Sequence, residues 1–266
     1  MLEQAAVPAA RLTAEVLLCH ALHCERAHLY GHRDDELPQR AWIHYGRYLH
    51  ERLEGKPTQY ITCGQEFFGR EFFVNQDVLI PRPETEHLVE QALRVLRERR
   101  YSTVFDVGTG SGAIAISVAL ESGLHVLASD ISVTALAVAA RNRRTHKAPV
   151  SFVAADLVQP VRPSSIDLLL ANPPYVPGQD ASNMQREVRD WEPHVALFAG
   201  DTGFEIYQRL IAGAEIAMKP GGRLLMELGY RSLDEVRKML LPSWTRINVF
   251  SDLAGLPRVI EAALRR

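Results

Sequence analysis

A short glycine-rich segment has the residue types and spacing of a ligand-binding loop. It consists of Gly108, Thr109, Gly110, Ser111 and Gly112, between an apolar run and a run rich in alanine and isoleucine. Glycine allows positive φ angles and close approach of a ligand to the backbone. The G-x-G-x-G spacing differs from the dinucleotide-binding G-x-G-x-x-G, and the Gly-Lys-Ser/Thr of a phosphate loop is absent. The segment therefore suits a nucleoside with an amino-acid tail better than a pyrophosphate.

Two acidic residues follow the next two apolar runs. Asp130 comes about 20 residues after the glycine loop, where a carboxylate accepts hydrogen bonds from both hydroxyls of a ribose. Asp156 follows the next run and is placed to hydrogen-bond the adenine amino group, with Leu157 beside it to pack on the adenine face. A turn with a capping acid would explain each piece alone, but their combination favours a nucleoside site.

The segment Asn172-Pro173-Pro174-Tyr175 follows a fourth apolar run. Its prolines fix the backbone and lack N–H donors, so it presents acceptors: the Asn172 side-chain oxygen and the Pro173 carbonyl. Two acceptors can hold a planar NH₂ group with its lone pair toward an incoming methyl group, while Tyr175 stacks on the substrate and stabilises positive charge. The structural alternative is a proline-rich turn with Tyr175 in the core. Adenine, cytosine, glutamine and asparagine all carry such an NH₂ group.

The elements that position these motifs alternate between strand and helix from Thr103 onward. We predict strands over residues 103–107, 125–129, 150–154, 166–171, 223–228, 246–250 and 258–263. We predict helices over residues 113–121, 133–146, 204–218 and 233–241. Such alternation predicts a mostly parallel sheet with helices on both faces, whose ligands bind at the carboxyl ends of the strands.

The preceding part of the chain has a different pattern. Residues 1–65 predict a small helical bundle, with helices over 11–23 and 38–54 and no catalytic candidate. Apolar runs over 66–74 and 78–80 flank the polar residues 75–77, which predicts a β-hairpin. The residues Pro81-Arg82-Pro83 would close it before a helix over 86–99. The predicted domains are therefore residues 1–65, a hairpin linker over 66–82, and an α/β domain over 83–266.

Composition limits the function classes. The 266 residues include 30 Lys and Arg against 32 Asp and Glu, a formal net charge of −2 that disfavours a globally basic nucleic-acid binder. The 3 cysteines cannot all pair, and their spacing matches no metal-ligand motif. No apolar stretch reaches the ~20 residues that span a bilayer, and the start lacks a secretory pattern. We expect a cytoplasmic protein without a metal or a membrane partner.

The motifs together resemble the HemK/PrmC family of glutamine methyltransferases. The resemblance covers most of the chain, over residues 68–72, 78–86, 106–113, 130–132, 172–175, 192–193, 196–200, 219–222 and 252–255. It implies a Rossmann-like class I methyltransferase domain, with a seven-stranded mostly parallel sheet, behind a small N-terminal helical domain. It also implies S-adenosyl-L-methionine as donor, S-adenosyl-L-homocysteine as product, and N5 methylation of the glutamine in the GGQ motif of class I peptide chain release factors.

The resemblance also assigns roles to residues and domains. The cofactor-binding set is Gly108, Thr109, Gly110, Ser111, Gly112, Asp130, Asp156, Leu157 and Asn172. The catalytic set is Asn172, Pro173 and Tyr175. The substrate-binding set is Arg82, Pro83, Asn172, Pro173, Pro174 and Tyr175. We expect the helical domain to dock the protein substrate and the chain to act as a monomer.

Three other functions stay open on the sequence. A glutamine methyltransferase acting on a ribosomal protein would share the hairpin and Asn-Pro-Pro-Tyr, but not the run over residues 82–86. A DNA or RNA amino-methyltransferase would need a basic groove and base-flipping machinery. The basic runs over 97–100 and 141–147 fall at predicted helix ends, where cations favour the helix dipole. A binding module that has lost its chemistry is disfavoured by the intact motifs.

Overall fold

The computed structural model describes residues 1–5, 7–98, 101–159 and 161–265. The chain divides into two compact units: Met1–Gly64 with Gln185–Trp191, and Gln65–Met184 with Glu192–Arg266. The helices, numbered in chain order, are α1 (Ala10–Leu22), α2 (Arg26–Gly31), α3 (Gln39–Leu53), α4 (Thr58–Thr62), α5 (Glu86–Glu98), α6 (Ala113–Ser122), α7 (Val133–His146), α8 (Arg186–Trp191), α9 (His194–Leu197), α10 (Glu205–Ala217) and α11 (Leu233–Leu240). Short 3₁₀ helices cover Pro83–Thr85 and Gly178–Asn183.

The strands share an extended conformation and pair into three sheets. In chain order they are β1 (Gly64–Phe67), β2 (Arg70–Phe73), β3 (Val104–Val107), β4 (Val126–Asp130), β5 (Val150–Ala154), β6 (Ile166–Ala171), β7 (Val176–Pro177), β8 (Phe198–Gly200), β9 (Met218–Glu227), β10 (Trp244–Ser251) and β11 (Pro257–Leu264). The large sheet has seven strands in the order β10-β11-β9-β6-β3-β4-β5. β11 runs antiparallel to both β9 and β10, and the other pairs of neighbouring strands in this sheet are parallel, which confirms the predicted α/β fold class.

The smaller unit is helical. It contains α1 to α4 and α8, and α1 and α3 confirm the predicted helices to within one residue at each end. Leu17 on α1 and Ala41 on α3 are buried in it. The segment α8 joins this unit through an ion pair of 2.5 Å between the buried guanidinium of Arg52 and Glu187. Sequence periodicity could not predict that pairing, because α8 lies more than a hundred residues beyond α4 along the chain.

The seven-stranded sheet is buried on both faces. Leu168 and Leu170 of β6 pack into one apolar cluster with α5 and α6, whereas Leu169 and Ala171 pack into a second cluster with α10 and α11. Alternate residues of a strand point to opposite faces, so an apolar strand covered on both sides fits this arrangement. From β3 the chain adds β4 and β5 on one side, and from β6 it adds β9 on the other side. The switch point between β3 and β6 is where such sheets bind ligands.

The predicted β-hairpin is wrong in position. Its strands are β1 and β2, and its turn is Phe68-Gly69, with φ angles of 51° and 68°. Two consecutive positive φ angles are typical of a two-residue type I′ turn. The sequence did not predict a turn within the aromatic run, because phenylalanine seldom adopts a positive φ. A hydrogen bond of 2.8 Å from the Phe68 N–H to Glu86 Oε1 supports this conformation. Residues 78–80 form no strand.

Other predicted elements are confirmed with small shifts. The helix over 133–146 is α7, and the strand over 166–171 is β6. The predicted helix over 86–99 ends at Glu98 within the described residues, because Arg99 and Arg100 lie outside them. The strand predicted over 223–228 begins earlier, at Met218. Within the described part of the chain, no helix combines the length and apolarity needed to cross a membrane.

Candidate active site

One pocket of the larger unit opens where β3, β4, β5 and β6 end. It is lined by the residues that directly follow these parallel strands and by part of the segment after the hairpin. Ten of the residues predicted from sequence line it: Arg82, Gly108, Thr109, Gly110, Ser111, Asp130, Asp156, Leu157, Asn172 and Pro174. The chain therefore brings both predicted motifs to one cavity.

The glycine loop adopts the conformation that its composition predicts. Gly108, Gly110 and Gly112 have φ angles of 70°, 54° and 84°, which L side chains rarely adopt. Gly112 does not line the pocket, but a Cβ there would lie 2.9 Å from Ile116 Cδ1 and 3.3 Å from Ala139 Cβ. Glycine at that position therefore allows α6 to pack against α7 directly behind the loop.

Asp106, near the end of β3, is a buried acid that was not among the predicted site residues. Its Oδ2 accepts a hydrogen bond of 2.7 Å from the Thr109 hydroxyl, while Oδ1 has no partner of good hydrogen-bond geometry among the described residues. Burial raises the pKa of its carboxyl group to about 7. The hydrogen bond from Thr109 and the N–H of Ala115 lower this pKa, whereas the nearby charge of Asp130 raises it further. A charged residue inside an apolar strand was the available sequence signal.

Asp130 holds the glycine loop in place and can still accept hydrogen bonds from a ligand. Its Oδ2 accepts the Gly110 N–H at 2.8 Å, and its Oδ1 accepts the Ser132 N–H at 2.9 Å. Burial raises the pKa of the carboxyl group, and the N–H groups of Ser132, Gly110 and Ile131 oppose that rise. A carboxylate has about four lone-pair sites, so each oxygen retains one for a hydroxyl group of a ligand.

Asp156 and Leu157 lie on the side of the pocket formed after β5. The Asp156 Oδ2 accepts a hydrogen bond of 2.5 Å from Arg209, which lines the same pocket from α10 and was not predicted. Leu157 has a positive φ of 55°, and its carbonyl accepts a bond of 3.1 Å from the Ser129 hydroxyl. This bond ties the end of β4 to the loop after β5.

Asn172 lines the pocket at the end opposite Asp156, next to the polar side chains of Thr85 and Glu227. Its Nδ2 donates to the Thr85 Oγ1 at 3.2 Å. The neighbouring Glu227, at the end of β9, is buried with 4% exposure, and its Oε2 has no geometrically good partner among the described residues. Burial raises the pKa of the Glu227 carboxyl group to about 7; Thr85, Arg258 and Asn172 lower it, and Glu84 raises it.

Four predicted site residues do not line the pocket: Pro83, Gly112, Pro173 and Tyr175. The Tyr175 ring packs against Gly229, where an added Cβ would approach the ring carbon Cδ2 to 2.6 Å. Burial raises the pKa of the Tyr175 hydroxyl to about 12; the Glu227 charge adds to this, and Arg82 and Arg258 oppose it. The tyrosine therefore stays protonated at neutral pH.

A buried glutamate holds the segment that precedes the 3₁₀ helix Pro83–Thr85. The Glu192 side chain is 1% exposed and accepts a bond of 2.5 Å from the Arg82 guanidinium. Its other oxygen accepts the Ile80 N–H at 3.2 Å. The residues predicted to be a second hairpin strand are thus fixed by a side chain more than a hundred positions away, which local sequence patterns could not show.

Two further features of the described residues bear on binding of a nucleic acid or a metal. Arg143 and Arg144 lie in the last turn of α7 and Arg97 in the last turn of α5, as predicted for solvated helix ends. The other arginines of the basic run over 97–100, Arg99 and Arg100, are outside the described residues. In the described ranges, no three His, Cys, Asp or Glu side chains converge as metal ligands would.

Comparison with known families covers both parts of the chain. Residues 1–62 match the PrmC N-terminal domain, and residues 86–189 match the methyltransferase small domain. The second match contains the glycine loop, Asp130, Asp156 and Asn172, which line the pocket together.

Individual proteins are similar over almost the whole chain. The release factor glutamine methyltransferase of Koribacter versatilis is 44% identical over 97% of this chain and 93% of its own. The release factor glutamine methyltransferase of Nitratidesulfovibrio vulgaris is 42% identical over 98% and 90%. The solved structure of a methyltransferase from Pyrococcus furiosus superposes with a TM-score of 0.55 at 14% identity, over 83% of this chain and 98% of that one. This last similarity supports the fold alone.

The Asp106 carboxyl group makes stability depend on pH. Its folded-state pKa of about 7 lies above its ordinary value of 3.8, so its contribution to stability is full below 3.8 and is lost as pH rises through about 7. Asp106→Asn keeps an acceptor for Thr109 without the buried charge. We expect the variant to be more stable than the natural protein at pH 8, by about 4 kcal/mol at most, and the difference to shrink below pH 4.

Chemical denaturation across this pH range measures the effect. The exposed Asp180→Asn provides a matched control and should follow the natural protein at every pH. Parallel pH dependence of the free energy of unfolding in the natural protein and Asp106→Asn would show that the carboxyl group is not held above its ordinary pKa.

Proposed function

The chain belongs to the release factor glutamine methyltransferase family, and from this membership we propose that it methylates the N5 side-chain nitrogen of the glutamine in the GGQ motif of class I peptide chain release factors. The proposed donor is S-adenosyl-L-methionine and the product S-adenosyl-L-homocysteine. One observation carries the proposal: the glycine loop, Asp130 and Asn172 line a single pocket. We further propose that the enzyme acts in the cytoplasm, as a monomer and without nucleic acid.

The residues present fit this donor. The free lone pairs of Asp130 match two ribose hydroxyls, since each oxygen already has one backbone partner. The three positive-φ glycines leave the loop backbone accessible to an amino-acid tail. Asp156 is assigned to the adenine amino group and Leu157 to the adenine face. When bound, S-adenosyl-L-methionine supplies an electrophilic methyl group on a positively charged sulfur.

The acceptor end must make an amide nitrogen reactive. An amide lone pair is delocalised, so the enzyme has to hold the NH₂ group with that lone pair directed at the methyl carbon. We assign this role to two acceptors, Asn172 Oδ1 and the Pro173 carbonyl, each binding one N–H. The nitrogen gains the methyl group and loses one proton to solvent, because positive charge on nitrogen makes that proton acidic. Acceptors aimed at this developing charge stabilise the transition state.

Tyr175 and the segment with Arg82 and Pro83 complete the proposed substrate site. We assign the contact with the planar amide to Tyr175, whose protonated hydroxyl adds no negative charge next to the substrate. Pro174 lines the pocket and narrows it. A glutamine flanked by glycines suits a narrow entrance, since its neighbours carry no side chains. The choice of a release factor over other proteins rests on family membership.

The domain division is part of the proposal. We assign residues 1–65 to docking of the release factor, residues 66–82 to the linker that contains the hairpin, and residues 83–266 to catalysis. The match of residues 1–62 to the PrmC N-terminal domain supports a separate role for the helical part. Trp42 and Ile43 on α3 are 63% and 62% exposed, and exposed large apolar side chains often mark protein-binding surfaces.

Two substitutions should separate donor binding from turnover. Asp130→Ala removes the ribose acceptor and frees the Gly110 N–H, so we expect S-adenosyl-L-methionine affinity to fall by up to about 3 kcal/mol. Asn172→Ala should largely retain donor affinity but lose about 100-fold in kcat, because one acceptor of the amide N–H is missing. Titration calorimetry and initial rates measure the two effects.

Each variant serves as the control for the other. Both must show the circular dichroism spectrum of the natural protein. Unchanged donor affinity in folded Asp130→Ala would exclude Asp130 from the ribose site, and a normal kcat in Asn172→Ala would exclude the proposed role of its oxygen.

The target is tested by mass spectrometry of a class I release factor incubated with enzyme and donor. We expect one added methylene mass on the GGQ glutamine, and none when that glutamine is replaced by alanine. A short GGQ peptide should also be methylated but with a KM about tenfold higher or more, because it lacks the contacts assigned to the helical bundle. Ribosomal proteins and DNA, incubated in parallel, should gain no methyl group.

Methylation of a ribosomal protein glutamine or of a DNA base in place of the release factor would contradict the target. Equal KM values for the peptide and the whole release factor would contradict docking by residues 1–65.

A further inference from the structure

The proposed role of Asn172 depends on which way its side-chain amide points. The oxygen and nitrogen have nearly the same shape, so packing alone does not distinguish the two orientations. With Oδ1 toward the acceptor, Asn172 accepts an N–H of the substrate amide. With Nδ2 there, two N–H donors would oppose each other and the substrate nitrogen would be repelled. Some neighbour has to specify the orientation.

Thr85 is that neighbour in the structure. It is 4% exposed, and its hydroxyl accepts the Asn172 Nδ2–H at 3.2 Å. A threonine hydroxyl can also donate, so by itself it would tolerate either orientation of the amide. It becomes selective only if its own proton is engaged elsewhere.

Glu227 offers a buried acceptor for this proton, because its Oε2 has no partner of good hydrogen-bond geometry among the described residues. The Thr85 and Asn172 side chains lie beside this carboxyl group, where both lower its pKa. An ionised carboxylate is acceptor-only, so a Thr85 hydroxyl that turns toward Glu227 donates to it and can then only accept from Asn172. The backbone of Glu227 is itself fixed, because its carbonyl accepts a bond of 2.7 Å from the Tyr207 hydroxyl.

We propose that Thr85 and Glu227 are positioning residues that orient the Asn172 amide, with Oδ1 toward the acceptor, only while Glu227 is ionised. The proposal rests on the proposed function for the identity of the acceptor. A protonated Glu227 can donate to Thr85, whose hydroxyl can then donate to Asn172 Oδ1 and stabilise the unproductive orientation. The network therefore couples proton binding at Glu227 to the competence of Asn172.

The charges around Glu227 decide where it titrates. The groups that face it are Arg258 on β11, Glu84 in the 3₁₀ helix Pro83–Thr85, Tyr175 after β6 and Tyr207 on α10. On α5, the Glu86 carboxylate is engaged by the Phe68 N–H. Burial outweighs the favourable charge of Arg258 and raises the pKa of Glu227 to about 7. The kcat should therefore fall as pH decreases through about 7.

The kinetic test uses the full chain, S-adenosyl-L-methionine and a class I release factor. Thr85→Val keeps the shape but removes the hydroxyl, and we expect kcat to fall about tenfold with donor affinity unchanged. Thr85→Ser restores the hydroxyl and should restore most of kcat. Thr145→Val, on the exposed face of α7, is the matched control and should behave as the natural protein.

The decisive variant is Glu227→Gln. Its side chain does not titrate, so the loss of kcat below pH 7 should disappear, although kcat at pH 8 falls because glutamine can also donate. An acid limb that persists in Glu227→Gln would assign the titration to another group, such as Asp106, and would overturn the proposal. A normal kcat in Thr85→Val would also overturn it.

A second measurement needs no acceptor and so separates this proposal from the proposed function. The side-chain NH₂ resonances of Asn172, assigned by their loss in Asn172→Ala, should shift with a midpoint near pH 7 in ¹⁵N-labelled natural protein. They should not titrate in Glu227→Gln. Resonances that ignore pH in the natural protein would refute the coupling, whichever protein the enzyme methylates.

Discussion

The site depends on carboxyl groups that are held at the carboxyl ends of neighbouring strands and kept largely from water. Asp106 is the penultimate residue of β3, Asp130 ends β4 and Glu227 ends β9. Burial raises the pKa of all three carboxyl groups. Asp106 and Asp130 recover part of that cost through hydrogen bonds from Thr109, Gly110 and Ser132, and those bonds fix the glycine loop and the turn before α7. The hydrogen bonds that offset the desolvation of these carboxyl groups therefore also make the pocket rigid.

The strand order explains why the pocket has two chemically distinct ends. Going along the sheet, β9, β6, β3 and β4 place Glu227, Asn172, Asp106 and Asp130 in sequence. The end at β4 offers a carboxylate with free lone pairs, which suits hydroxyl groups. The end at β6 offers a neutral side-chain amide that is hydrogen-bonded to Thr85, which suits an NH₂ group. A donor and an acceptor that meet between these ends would place the transferred group over β3 and its glycine loop.

Sequence could predict what depends on local pattern. The apolar strands, the glycine loop, Asp130 and Asn172 are all local signals, and the fold class follows from strand–helix alternation. The hairpin turn was missed because Phe68 takes a positive φ that its residue type disfavours, supported by a bond from Glu86. Thr85 and Glu227 were missed as site residues because their importance comes from contacts across the fold, such as the Thr85–Asn172 bond over 87 positions. The grouping of Gln185–Trp191 with the N-terminal helices was hidden for the same reason.

The central claim is that Asn172 and Pro173 hold the acceptor nitrogen while Asp130 holds the donor ribose. A crystal structure of the chain with S-adenosyl-L-homocysteine and a GGQ-containing peptide tests this claim most directly. We predict that the glutamine nitrogen lies about 3 Å from both Asn172 Oδ1 and the Pro173 carbonyl, and that both ribose hydroxyls donate to the Asp130 carboxylate. A glutamine side chain that binds away from Asn172, or a ribose that makes no contact with Asp130, would contradict it.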